Sequence, residues 1–147
     1  MLKNILCATD GSKVSEEAID FAAAAGKAFG APVTFLTVSH VDRASAAGTH
    51  FWDARTFEAG ERQLSAEMRA VKARAEAGGL TQARHAVVQG RDVAKAIVAY
   101  AEAHGHDHVI MGSHGSGGIE RLLLGSVASA VVARAPCPVT IVRHRRP

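Results

Sequence analysis

Aromatic residues make up only 5% of this 147-residue sequence, which has two cysteines, four prolines and a single tryptophan. Nowhere does it run through the roughly 18 uninterrupted apolar residues that a membrane-spanning helix needs, so no membrane span is expected. Two cysteines cannot build a multi-bridge disulfide framework. Cys7 and Cys137 fall in or beside apolar strand segments and read as buried small hydrophobes, not as a bridge. The start, Met1-Leu2-Lys3-Asn4-Ile5-Leu6, runs directly into a predicted strand and lacks the charged, apolar and small-residue regions of a signal peptide. Cytoplasmic residence is the expectation. A Gly-Lys-Ser/Thr ending is missing throughout, which excludes a Walker A loop. The turn after the first predicted strand holds one glycine, Gly11, too few for a dinucleotide fingerprint.

What is present is an ordinary globular composition, 48% hydrophobic and 21% charged, and the length suits one domain over residues 1–147. The formal net charge of +3 is fed by the tail Arg143-His144-Arg145-Arg146-Pro147. That tail has no interleaved aromatics of the kind that stack on single strands, so it reads as a solvated terminus and no nucleic-acid partner is expected.

The apolar pattern alternates strand and helix along the chain. Residues 3–9 (KNILCAT), 33–39 (VTFLTVS), 83–89 (ARHAVVQ), 107–111 (DHVIM) and 138–143 (PVTIVR) are short runs with strand character, bounded by turn residues. Helical spacing fills the gaps. Val14, Ala18, Phe21, Ala22, Ala25 and Phe29 repeat before Gly30, with Ser12 or Ser15 as the expected cap. Leu64, Met68, Val71 and Ala75 share a face before Gly78-Gly79, Val93, Ile97, Tyr100 and Ala101 follow a capping Asp92, and a last helix covers about residues 126–135. Residues 40–53 carry no period and read as a loop. Five strands alternating with helices predict an α/β domain: a doubly wound, five-stranded parallel sheet flanked by four helices, in the Rossmann-like order 3-2-1-4-5.

Such a sheet binds ligands beyond the carboxyl ends of its strands, where the winding reverses. Here that point lies between strands one and four. The loops that meet there carry the two most unusual segments, Asp10-Gly11-Ser12 and Gly112-Ser113-His114-Gly115-Ser116-Gly117-Gly118, the latter leading to Gly125-Ser126-Val127 at the start of a helix. Glycines let backbone amides approach an anion, and a helix start favours phosphate. Asp10 also suits a plain turn. His104, His106 and His108 alternate around a helix end and a strand start, a pattern read as surface-turn histidines rather than a metal site. Arg121 suits either a phosphate contact or an exposed surface position.

Gly112, Gly115 and Gly125-Ser126 follow the spacing glycine, two residues, glycine, nine residues, glycine-serine. This resembles the ATP-binding branch of the universal stress proteins. The flanks Asp107-His108-Val109-Ile110-Met111 and Ala135-Pro136-Cys137-Pro138-Val139, and the opening Ile5-Leu6 to Asp10-Gly11-Ser12, are similar to the same family. The resemblance implies that ATP is the ligand. Asp10 would face the ribose or a bound magnesium, Val38 would set its backbone against adenine, and Ala8 would form part of the adenine wall. Gly112, Gly115, Gly125, Ser126 and Val127 would line ribose and phosphates, with His114 in a variable slot of the motif. It also implies a homodimer through the last strand, which agrees with a terminal apolar strand whose edge nothing later in the chain covers.

Phosphoryl transfer needs a nucleophile, a base and cationic stabilisation beyond a phosphate cradle. The expected activity is therefore ATP binding with a stress-response or signalling role and at most slow hydrolysis. The competing classes are a slow ATPase or ATP-using enzyme of a related nucleotide-handling fold, and a nucleotide-free dimeric interaction module.

Overall fold

β-Branched and large aliphatic side chains alternate across the five apolar runs, and each run becomes a strand. The three central strands are largely buried between helices, while the two edge strands, 83–89 and 139–142, hold no fully buried residue. The structure, a computed structural model, describes residues 2–39, 54–114 and 124–144, with side chains of the second stretch from residue 62 onward. The strands are β1 (Ile5–Ala8), β2 (Val33–Ser39), β3 (Ala83–Gln89), β4 (His108–Gly112) and β5 (Val139–Val142). The helices are α1 (Glu16–Phe29), α2 (Ala54–Ala77), α3 (Val93–Ala103) and α4 (Ser126–Arg134). All pairings are parallel, and the order β3-β2-β1-β4-β5 is the one expected from the sequence. The predicted loop at 40–53 and Arg121 lie outside the described residues.

Strand alternation divides the interior into two apolar compartments. Ile5, Cys7, Val33, Phe35 and Ile110 pack with α1 and α2, against Ile19, Ala22, Ala23, Val71 and Ala75. Leu6, Ala8, Leu36, Val109 and Met111 face the other way, against Ala94, Ile97, Ala101, Ala128 and Val131 of α3 and α4. Cys7 is fully buried, and burial pushes its thiol up to about 12, which leaves it inert as a nucleophile. Cys137 is half-buried, and both cysteines are unpaired. Among the described residues no helix is long and apolar enough to cross a membrane.

Two local expectations are corrected. The buried stripe of α1 is Ala18, Ile19, Ala22, Ala23 and Gly26, while Phe21 and Phe29 are 48% and 49% exposed. Small residues win this interface because the helix sits close on the sheet. Neither Ser12 nor Ser15 caps α1 through its side chain. A 3-10 turn, Lys13–Ser15, precedes the helix, and the Ser15 hydroxyl is used elsewhere. By contrast Asp92 caps α3, accepting from the Lys95 N–H at 3.1 Å.

At the amino ends of the strands, Asp107 accepts from the backbone N–H groups of Lys3 (2.8 Å) and Asn4 (3.2 Å), so it staples the start of β1 to the start of β4. Asp107 is thus a structural residue, at the end of the sheet opposite the carboxyl ends of the strands. His104 and His106 stack on Tyr100, with ring centroids at 3.9 and 5.7 Å, and His108 Nε2 meets Thr140 Oγ1 at 2.6 Å between β4 and β5.

Candidate functional site

The site begins with a difference in strand length. β1 stops at Ala8, paired with Leu36 and Met111, whereas β2 continues to Ser39 and β4 to Gly112. The shorter central strand leaves a notch at the carboxyl end of the sheet. It opens into a cleft of about 580 Å³, within the range typical of small-molecule sites, roughly 300–1,000 Å³.

Backbone groups in the notch are set by alternation. The Thr9 N–H donates to the Leu36 carbonyl at 2.9 Å, and the Gly90 N–H donates to the Ser39 carbonyl at 3.1 Å. Leu36 therefore addresses β1 and Ser39 addresses the β3 side. Two residues after Leu36, the N–H and C=O of Val38 turn toward the side that β1 has already left. One donor and one acceptor at strand spacing can read the edge of a planar base. Leu36, Val38, Val93, Ile97, Met111 and Val127 supply apolar walls around that position.

The connection from β1 to α1 forms one side of the mouth. Gly11 has φ of 77°, a conformation that favours glycine, and it tightens the turn so that Asp10 reaches the cleft. Asp10 Oδ1 accepts from the Ser12 N–H at 3.0 Å and from the Ser12 hydroxyl, an Asx-type turn. Beneath it runs a directed chain of hydrogen bonds. The Ser15 hydroxyl donates to the Ser12 carbonyl at 2.7 Å, so the Thr9 hydroxyl donates to Ser15 Oγ at 2.9 Å and accepts from the Gly11 N–H at 3.2 Å. Thr9 and Ser15 are both 6% exposed. This chain explains why Ser15 is unavailable as a cap, and it fixes the loop that carries Asp10.

The opposite side is built on Ser113. Its N–H donates to the Val142 carbonyl at 3.0 Å, and its carbonyl accepts from the Gly125 N–H at 2.7 Å. The two ends of the glycine-rich segment are thereby joined on top of β4 and β5. Gly125 occupies the N-cap of α4 and offers no side chain to the first-turn amides. Ser126, Val127 and Ala128, whose N–H groups are the unsatisfied donors of that turn, all line the cleft. With the helix dipole they make this rim favourable to an anion. His114 also lines the cleft, and its Nδ1 lies 3.0 Å from Ser113 Oγ.

Of the positions singled out in the sequence, Ala8, Asp10, Val38, Gly112, His114, Gly125, Ser126 and Val127 come together around this one cleft. Gly115 lies outside the described residues. Sequence reasoning missed Thr9, Ser15, Leu36, Thr37, Val93, Ile97, Met111, Ser113 and Ala128, which also line it. Leu36 was available from Val38 by strand alternation, and Val93 with Ile97 from their shared helical face.

Among the described residues no three His, Cys, Asp or Glu side chains are grouped to hold a metal ion. Asp10 alone suits magnesium only in the way that ion commonly binds nucleotides, with most of its ligands from phosphate and water.

Comparison with known proteins gives a consistent family. The sequence model of the Universal stress protein family matches residues 1–143. The protein named "Universal stress protein in QAH/OAS sulfhydrylase 3′ region" of Thermus aquaticus is 38% identical over 146 residues, covering 97% of this chain and 100% of its own length. A universal stress protein of Methanocaldococcus jannaschii is 35% identical, with 97% of this chain and 83% of that protein covered. Among solved structures, a universal stress protein in complex with cAMP superposes with a TM-score of 0.75 at 26% identity, covering 98% of both chains.

Proposed function

The chain belongs to the universal stress protein family, and from that premise we propose that it is an ATP-binding protein with a stress-response or signalling role. The observation that carries this reading is the convergence, in one cleft, of the Val38 backbone, Asp10 and the uncapped start of α4. The three match the three parts of a nucleotide. Apolar walls and a strand edge suit adenine, a carboxylate accepts from ribose hydroxyls, and helix amides take phosphate. The charges are correctly divided, since Asp10 would repel a triphosphate placed against it. In this reading Ala8 and Val38 hold the base, Asp10 the ribose, and Gly112, His114, Gly115, Gly125, Ser126 and Val127 the phosphates. Magnesium would arrive with the nucleotide, screening its charge near Asp10.

Among the described cleft residues Asp10 is the one carboxylate and His114 the one imidazole, and none is a lysine or arginine. That set binds a polyphosphate but offers little cationic stabilisation to a leaving phosphate. Hydrolysis by the protein alone is expected well below about 1 per second, the low end of ordinary turnover.

A second reading has support in the cAMP complex of the 26% identical structure. A cyclic monophosphate would use the same base and ribose walls but fewer of the α4 amides. Calorimetry with ATP, ADP, cAMP and GTP separates the two. ATP is expected to bind at about micromolar Kd, near −8 kcal/mol, with cAMP and GTP at least about tenfold weaker. cAMP binding more tightly than ATP would favour the second reading, and no binding by any adenine nucleotide would remove both.

The outer edge of β5, which no described strand pairs, supports a homodimer. Pro138 and Val142 present their carbonyls to β4, accepting from the Val109 and Ser113 N–H groups. By alternation Val139 and Ile141 turn their backbone groups outward. Phe21 flanks this edge, because Glu17, one turn earlier on α1, pairs with His144 just past β5 at 3.4 Å. Sedimentation equilibrium is expected to give a dimer. Ile141→Pro, which deletes one outward N–H, should shift it to monomer with the helical circular dichroism retained. A wild-type monomer at about 100 μM, well above the Kd of most specific dimers, would remove the dimer.

A further inference from the structure

We infer that Ser15 is a positioning residue for the sugar end of the cleft: acting through Ser12, its buried hydroxyl aims the Asp10 carboxylate and so sets the preference for ribose over a sugar without hydroxyls. This role rests on the nucleotide reading above and adds to it what makes the sugar subsite selective.

Asp10 is exposed, and an exposed carboxylate gains little from hydrogen bonds that water also offers. Its direction has to come from whatever holds the turn. Asp10 Oδ1 accepts from the Ser12 N–H at 3.0 Å and from the Ser12 hydroxyl, so the carboxylate goes where Ser12 goes. Ser12 in turn is gripped from below. Its carbonyl accepts from both the N–H (3.1 Å) and the hydroxyl (2.7 Å) of Ser15, at the start of α1. Ser15 Oγ accepts from the Thr9 hydroxyl at 2.9 Å, and Thr9 Oγ1 accepts from the Gly11 N–H at 3.2 Å. The Thr9 N–H is anchored on β2, donating to the Leu36 carbonyl at 2.9 Å. Two hydroxyls therefore suspend the turn between the sheet and the first helix, one holding it at Gly11 and the other at Ser12. On the outer side Glu67 packs over Gly11, with Oε2 3.0 Å from where a Cβ on that glycine would stand.

Ser15 lines the cleft, yet its hydroxyl hydrogen is committed to Ser12 and its oxygen to Thr9. It has no hydrogen to offer a ligand, so it acts through Asp10. Its place in the helix shows the same commitment. Ser15 stands at the N-cap of α1, where a serine ordinarily accepts from the first-turn amides, and it makes no side-chain cap bond. Thr9 and Ser15 are both 6% exposed, and hydrogen bonds sheltered from water are stronger and more costly to break than those at the surface. The brace is thus stiffer than the turn it carries. A carboxylate aimed in advance keeps the full strength of its charge-assisted bonds to ribose hydroxyls, whereas one ordered only on binding loses part of it to entropy.

Titration calorimetry of the intact protein with ATP and with 2′,3′-dideoxy-ATP, each with magnesium, tests this role in the wild type, Ser15→Ala, Thr9→Val and Thr9→Ser. The dideoxy nucleotide keeps base and triphosphate but has no hydroxyl for Asp10. One charge-assisted hydrogen bond corresponds to about tenfold or more in affinity, so the wild type should prefer ATP by at least about tenfold. Ser15→Ala and Thr9→Val should each cut that preference to about threefold or less, through weaker ATP binding, with dideoxy-ATP held within about twofold of the wild type. Thr9→Ser keeps the hydroxyl and should keep the preference. If Ser15→Ala does not fold, the two Thr9 variants read the same chain and decide the matter. An unchanged preference in the hydroxyl-less variants, or equal weakening of both nucleotides, overturns the positioning role and leaves the nucleotide reading standing. A wild type that binds the two nucleotides equally overturns it too, by removing Asp10 from the sugar. A wild type that binds neither overturns both.

Discussion

Gly125→Val should weaken ATP binding by at least about 100-fold, equivalent to roughly 2.7 kcal/mol, while far-ultraviolet circular dichroism remains that of the wild type. A Cβ at this position would stand 3.2 Å from the Ser113 carbonyl oxygen and 3.5 Å from His114 Cα. Both are backbone atoms, and the Ser113 peptide is held from two sides, by Val142 and by Gly125 itself. The chain cannot give way cheaply there. A β-branched side chain must stretch the 2.7 Å bond between the Gly125 N–H and Ser113 or turn the first amides of α4 away from the cleft. Charge-assisted hydrogen bonds contribute about 1.5–3 kcal/mol each, so misdirecting one or two accounts for the loss. Because the strain is confined to the rim, the fold should persist with a modestly lower Tm. Calorimetry with ATP checks the result, and affinity within threefold of wild type would show that the start of α4 does not hold the phosphates.

Gly26→Val should do the reverse, lowering stability by about 3 kcal/mol with nucleotide affinity unchanged in the protein that remains folded. In an exposed helix interior, replacing glycine with a side chain usually helps, since glycine costs about 0.5–1 kcal/mol relative to alanine. Gly26 is different. A Cβ there would lie 2.6 Å from both Leu80 Cδ1 and Val33 Cγ2, and 3.0 Å from the Ala31 carbonyl oxygen. Val33 is fully buried and Leu80 is 3% exposed, so neither can swing into solvent. The Gly26 carbonyl also accepts from the Ala31 N–H at 2.9 Å, which ties the end of α1 to the entry of β2. For a chain of this length the expected fall in Tm is about 6–12 °C. Urea and thermal unfolding measure it. A Tm equal to or above that of the wild type would mean that α1 does not sit this close to the sheet.

How far the sequence discloses this molecule can be judged from the same residues. The order of elements is legible because each apolar run is short and punctuated by glycine, aspartate or proline, so strand and helix periods do not overlap. The place of the site is legible because Asp10 and Gly125 stand in the connections that a doubly wound sheet must bring together. The packing of α1 is not. Its pattern admits Phe21 and Phe29 as inward residues, yet the close approach of helix and sheet selects alanine and glycine and turns both rings outward. Gly26 gives no local signal, for its constraint comes from Leu80, distant in sequence, and from the fold of the chain back onto Ala31 and Val33. The hydroxyl of Ser15 is equally opaque. Its role as a link between Thr9 and Ser12 depends on where β1 ends, and no cap preference predicts that.

The division of the interior by the sheet has a further consequence. Lesions more than about 7–10 Å apart with no shared partners add independently, and among the described residues the α1–α2 compartment shares no buried residue with the α3–α4 compartment that walls the cleft. Evolutionary drift can therefore rework much of one half without retuning the other, except where Thr37 of the cleft bonds Met68 of α2 and where Gly11 meets Glu67. A designer could raise the heat tolerance of this scaffold by redesigning the α1–α2 side around those two contacts, and leave the cleft walls as inherited.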